Sequence, residues 1–89
     1  MSDRPLPEIM ARTPVQIGAA LRRLRRLRGR TQRDAAGRAG LRQATVSATE
    51  AGRPGTHLAT LCDLLAALDL ELVVRPRTKD ARLPDPFDP

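Results

Sequence analysis

The sequence predicts an all-α domain of four to five helices built around a helix-turn-helix, followed by a C-terminal strand that pairs between subunits. Three observations carry this expectation. Apolar residues return at three- and four-residue steps between residues 13 and 69, which is the signature of helices with one buried face. The segment TQRDAAGRAGLRQATVSATEAG, Thr31 to Gly52, has the small, glycine and apolar positions of two helices crossing at a steep angle. Beyond residue 69 the pattern changes to alternation in Leu70-Glu71-Leu72-Val73-Val74-Arg75-Pro76.

Residues 1–12, with Pro5 and Pro7, read as a flexible lead-in. The first helix starts at Thr13-Pro14-Val15-Gln16, which offers a capping hydroxyl, a proline at the first helical position and a glutamine able to close a capping box. Ile17, Ala20, Leu21, Leu24 and Leu27 form its apolar stripe, Arg22, Arg25 and Arg26 fall on the opposite side, and Gly29 ends it. Arg23 and Arg28 lie nearer the stripe and extend outward along their stems. The RRLRRLRGR run has an alternative reading as a membrane-surface or calmodulin-target helix, but its leucines are needed to cover the helices that follow.

Gln32 opens the second helix, Ala36 is small enough for another helix to cross it closely, and Gly40 sits at the bend. Leu41 and Val46 give the next helix an apolar underside, leaving Gln43, Thr45, Ser47 and Ala48 outward. An ordinary αα-hairpin is the alternative, yet a plain bundle would favour Glu and Lys on that outer face. After the turn Arg53-Pro54-Gly55, Thr56 is expected to cap a fourth helix reaching Asp69, with Leu58, Leu61, Cys62, Leu64, Leu65 and Leu68 on its buried face. A lone strand leaves backbone groups unpaired, so residues 70–76 call for the same strand of a second copy, through Leu70, Leu72, Val73 and Val74. An extended segment lying on its own domain is the alternative. Residues 77–89 read as a disordered tail in which Phe87 could dock on a partner.

Composition narrows the function. With 89 residues, Phe87 as the sole aromatic and neither Trp nor Tyr, one small core must be built from aliphatic side chains. The net charge of +6 is carried by arginine, Lys79 being the one lysine, and it is segregated. Residues 1–53 hold twelve Arg against Asp3, Glu8, Asp34 and Glu50, whereas residues 54–89 hold four basic against six acidic residues. Such asymmetry marks a polyanion-binding half joined to a half with another task. Cys62 is alone, so no internal disulfide forms, and no apolar run could span a bilayer or serve as a signal peptide; a cytoplasmic protein is expected. No nucleophile–base pair, paired carboxylates, phosphate-cradling glycine loop or metal-ligand cluster is visible, and His57 has no ligand neighbours. The chain is therefore expected to be neither an enzyme nor a cofactor or metal binder.

These motifs have a family resemblance. Residues 13–76 resemble the lambda-repressor-like Xre/Cro family of bacterial helix-turn-helix repressors, and GLRQATVSATEAGRPGTHLATLCDLLAALDLELVVRP, residues 40–76, is similar to the HipB-type antitoxins. In that branch the same order is found: a recognition helix starting Gln-Ala-Thr, a Thr-Leu-containing helix, a short linker and a strand that pairs between subunits. The resemblance implies a homodimer that binds inverted-repeat operators of its own operon and holds a HipA-like serine/threonine kinase toxin inactive.

On the residues themselves, Gln43 is the foremost base reader, because its amide can donate to and accept from adenine. Ala44 and Thr45 offer methyl groups to thymine, and Ser47 can reach a base edge. Thr31, Gln32, Arg33, Arg42 and Arg53 suit phosphates, Arg42 being equally able to read a base. Glu50 is expected to tie the recognition helix to an arginine of the first helix. Two other classes stay open: a stand-alone regulator without a toxin, and a basic module for RNA or an acidic protein, the RNA option lacking stacking aromatics.

Overall fold

Each helix begins where the sequence supplies a start signal and a face to bury. The computed structural model describes residues 5–77, and within them four helices follow in order: α1 (Pro14–Leu27), α2 (Gln32–Ala39), α3 (Gln43–Glu50) and α4 (Leu58–Ala67). The Gln16 N–H donates to Thr13 Oγ1 at 3.1 Å, which satisfies one orphan donor of α1. Gln16 Oε1 reaches one residue further back than expected, accepting from the Arg12 N–H at 2.7 Å. Gly40, with φ 69°, ends α2, and the Leu41 N–H returns to the Ala36 carbonyl at 2.9 Å.

The core joins Leu21 of α1, Ala35 and Ala36 of α2, Val46 of α3, and Leu61, Leu64 and Leu68, with Ile17, Leu41, Leu65 and Leu70 packed around it. Ala36 and Val46 are both buried, which lets α2 and α3 cross closely, while α4 closes the other side of α2 and α1 lies on α3. Arg28 fastens the ends of the domain together. Its Nε donates to the Leu68 carbonyl at 3.1 Å and its Nη2 to that of Asp69 at 3.2 Å, neutralising the carbonyl-rich end of α4.

The α1–α3 crossing depends on a glycine that the periodicity reading passed over. Gly18 is buried, and a Cβ there would overlap the Glu50 and Thr49 carbonyl oxygens. Gly37, in the middle of α2, faces open space. Gly18→Ala should therefore lose about 1–3 kcal/mol of stability through overpacking, outweighing the ~1 kcal/mol that alanine normally gains in a helix. Gly37→Ala should gain roughly 0.5–1 kcal/mol. Urea midpoints of the two variants check the contrast; equal shifts would mean that α1 can slide away from α3 at little cost.

Several expectations are corrected. Arg25 is buried on α1, because it lies four residues after Leu21 and seven after Gly18, on the face toward α3. Leu27 is exposed beyond that contact. On α4, Leu61, Leu64 and Leu68 fill the core, whereas Leu58, at 74% exposure, and the exposed Cys62 belong to the adjacent row that also holds Leu65. Thr56 does not cap α4. His57 occupies the N-cap without a side-chain bond, and the Thr56 hydroxyl donates to the Arg53 carbonyl at 3.4 Å instead.

No strand is present among the described residues. Leu70 packs on the core and its N–H donates to the Leu65 carbonyl at 2.8 Å. Leu72 and Val74, expected to share a buried face with it, are 58% and 91% exposed, and Val73 is exposed too. The Leu61–Leu64–Leu68 row is already covered within the domain, so one copy of the chain offers these residues nothing to bury against. The segment 78–89, with Phe87, lies outside the described residues.

Candidate nucleic-acid interface

The recognition helix is fixed by a buried ion pair. Arg25 Nε donates to Glu50 Oε2 at 2.6 Å and Nη2 to Oε1 at 3.1 Å, with the two residues 6% and 7% exposed. The remaining groups of the pair are also used: Arg25 Nη1 donates to the Arg30 carbonyl at 2.7 Å, and Gln32 Nε2 donates to Glu50 Oε1 at 3.1 Å. One carboxylate thus gathers α1, the start of α2 and the end of α3. Such bidentate geometry sets orientation as well as distance. The expected tie between Glu50 and a first-helix arginine is present, through Arg25.

The start of α2 is set by a capping box that the sequence reading did not identify, although Thr31 and Asp34 have its spacing. The Asp34 N–H donates to Thr31 Oγ1, and the Thr31 N–H donates to Asp34 Oδ2, both at 3.0 Å. The Thr31 N–H and hydroxyl, followed by Arg30 and Arg38, hold the Asp34 carboxyl below its ordinary range. A depressed carboxylate stabilises the fold above its unfolded titration range and loses that contribution as pH falls through the lowered value, so the box is intact at neutral pH.

On α3, Gln43, Ala44 and Ser47 are exposed, while Val46, Thr49 and Glu50 are buried beneath. Thr45 is corrected to a half-buried position; its carbonyl accepts the Thr49 hydroxyl at 2.8 Å. Ala48 is also half-buried. Gln43, Thr31, Gln32 and Arg33 line one open groove together with Arg26 and Arg30. The last two were not among the expected phosphate contacts, although they stand in the arginine run leading into Thr31. Arg42, the N-cap of α3, is exposed and makes no capping bond with its side chain. Arg53 is exposed after α3, outside that groove. Gln32, expected to contact phosphate, is half-buried with its amide donating to Glu50, which leaves its backbone N–H at the start of α2 as the donor facing that role. Among the described residues no group of three or more His, Cys, Asp or Glu could hold a metal, and no helix is long and apolar enough to cross a membrane.

Two short helices about a left-handed glycine, with small polar groups outward on the second and arginines around its start, define a helix-turn-helix of the class found in DNA-binding regulators. The chain belongs to the helix-turn-helix domain family, whose model matches residues 16–77. Among solved structures, it is similar to HipB in its complex with an O4 20mer, at 29% identity and a TM-score of 0.73 over 78% of this chain and 97% of that one. A chain of the HipA–HipB–O2–O3 complex matches at 29% identity and a TM-score of 0.72, with the same coverage. The restriction-modification controller protein C.AhdI from Aeromonas hydrophila matches at 35% identity and a TM-score of 0.61, over 64% of this chain and 86% of that one. No curated protein sequence matches the chain. The resemblance to Xre/Cro-type proteins of the HipB branch, read from the motifs, is carried by the fold.

Proposed function

We propose that this helix-turn-helix regulator is a sequence-specific, dimeric transcriptional repressor that acts as the antitoxin of a HipBA-like pair, binding an inverted-repeat operator of its own operon and a HipA-like serine/threonine kinase toxin. It works in the cytoplasm, by binding alone and without catalysis. The observation that carries the DNA reading is the exposed Gln43, Ala44 and Ser47 face of α3, held by Arg25–Glu50 beside an arginine-lined groove. The antitoxin reading is supported by the likeness to HipB over 97% of that chain and by the matching chain of a HipA–HipB–O2–O3 complex. The exposed Leu72, Val73 and Val74 support dimerisation through residues 70–76.

A stand-alone regulator is the second reading, favoured by the likeness to the restriction-modification controller. Purification of the chain with any kinase-like product of the adjacent reading frame separates the two. A stable complex supports the antitoxin, and its absence leaves the regulator.

The base-reading assignment has its own test. Gln43→Ala should relax sequence preference by about 1–3 kcal/mol, the worth of one bidentate base contact. Arg33→Ala should weaken operator and scrambled duplex alike, since phosphates carry no sequence information. Equal losses on the two duplexes for Gln43→Ala would remove that residue from the reading set.

A further inference from the structure

A second open groove runs along the α1–α2 turn and the outer side of α2, lined by Arg28, Arg30, Arg33 and Arg38 with Asp34 and Gly37. It joins the groove at the start of the recognition helix, because Arg30 and Arg33 line both. Arg28 is engaged with the end of α4, but the guanidinium groups of Arg33 and Arg38 are exposed and make no hydrogen bond or ion pair with the described residues. Arg30 Nε is buried without any acceptor, a donor the fold leaves unfilled. Asp34 is the one acidic side chain among the four arginines of the lining, so the groove keeps a net positive charge.

The lining contains only arginine, glycine and aspartate. A protein partner usually anchors through aromatic or aliphatic side chains in pockets, and this strip provides none. A sugar–phosphate backbone needs only spaced cations. Arg33 and Arg38 stand about 7.5 Å apart along the axis of α2, from a rise of ~1.5 Å per residue.

We propose that this arginine strip binds phosphates of DNA flanking the base-read half-site, so that the protein's footprint extends beyond the sequence it reads. The proposal rests on the DNA-binding reading above, and adds Arg30 and Arg38 to the phosphate contacts.

The test uses the full chain and an inverted-repeat duplex selected from a random pool, alone or extended by about one helical turn on each side. Affinities are measured over a salt series for the wild type, Arg38→Gln and Arg22→Gln, the last an exposed arginine outside both grooves. Extension should steepen the dependence of log K on log salt by about 1–2 per subunit. Arg38→Gln should abolish about 0.9 of that increment per subunit while leaving the short duplex unaffected, and Arg22→Gln should alter neither. A slope that ignores the extension, or an Arg38→Gln effect equal on both duplexes, would overturn the proposal. So would an Arg38→Gln variant that binds both DNAs normally but loses affinity for polyglutamate, which would assign the groove to an acidic peptide. If the wild type selected no duplex at all, the DNA-binding reading itself would fall, and this proposal with it.

Discussion

Glu50→Ala should cost about 3–5 kcal/mol of stability, the usual penalty for leaving one partner of a buried ion pair uncompensated. At about 0.05–0.15 kcal/mol per residue, the described part of this chain has only ~4–11 kcal/mol to lose. The substitution strands the Arg25 Nε and Nη2 donors and the Gln32 amide together, and it frees the end of α3 from α1. Glu50→Gln keeps the shape and one acceptor oxygen, so its loss should be smaller. Replacing both partners by Arg25→Met and Glu50→Leu should recover much of the stability, since no buried charge then remains. Urea unfolding followed by circular dichroism reads all three. If Glu50→Ala unfolded at the wild-type midpoint, the pair would be a surface contact in solution and could not be what holds the recognition helix.

The proposed dimer gives the second large effect. A helix-turn-helix reads a palindrome tightly when two recognition helices are held roughly 34 Å apart on one face of the duplex. In one copy of the chain the Val73 N–H bonds to no described residue, and its side chain is 63% exposed. Val73→Pro should therefore leave the domain's own unfolding unchanged but remove a donor from an intersubunit ladder, yielding monomers. Losing the linkage between half-sites should weaken operator binding by roughly 10²–10⁴-fold. Sedimentation and operator titration are the paired measurements. A Val73→Pro protein that remained dimeric and bound normally would move the interface to the exposed Leu58 and Cys62 of α4.

The starts of α1 and α2 and the bend into α3 were legible because they are written in local chemistry, whereas the start of α4 was not. Thr13-Pro14 can cap and begin a helix with no help from the rest of the chain, and Gly40 alone can take the left-handed backbone that bends α2 into α3 without strain. The outward placement of Ser47 followed from the burial of Val46, since one residue turns the helix by about 100°. Even the charge imbalance between residues 1–53 and 54–89 was a property of composition that no packing could reverse.

What needed the tertiary structure was every choice between near-equivalent positions on a helix. Arg25 sits among other arginines of α1 and looks like them by charge; only the arrival of Glu50, twenty-five residues later, makes it the buried one. Gly18 is indistinguishable from a weak helix position until the carbonyls of Thr49 and Glu50 cross it. Leu58 and Cys62 are as apolar as Leu61 and Leu64, yet α2 covers one row and not the other. Periodicity fixes the angle between side chains on a helix but not where the neighbouring helix lies. That is decided by which pairs of faces approach closely enough to exclude water, here by Ala36, Gly18 and the Arg25–Glu50 pair.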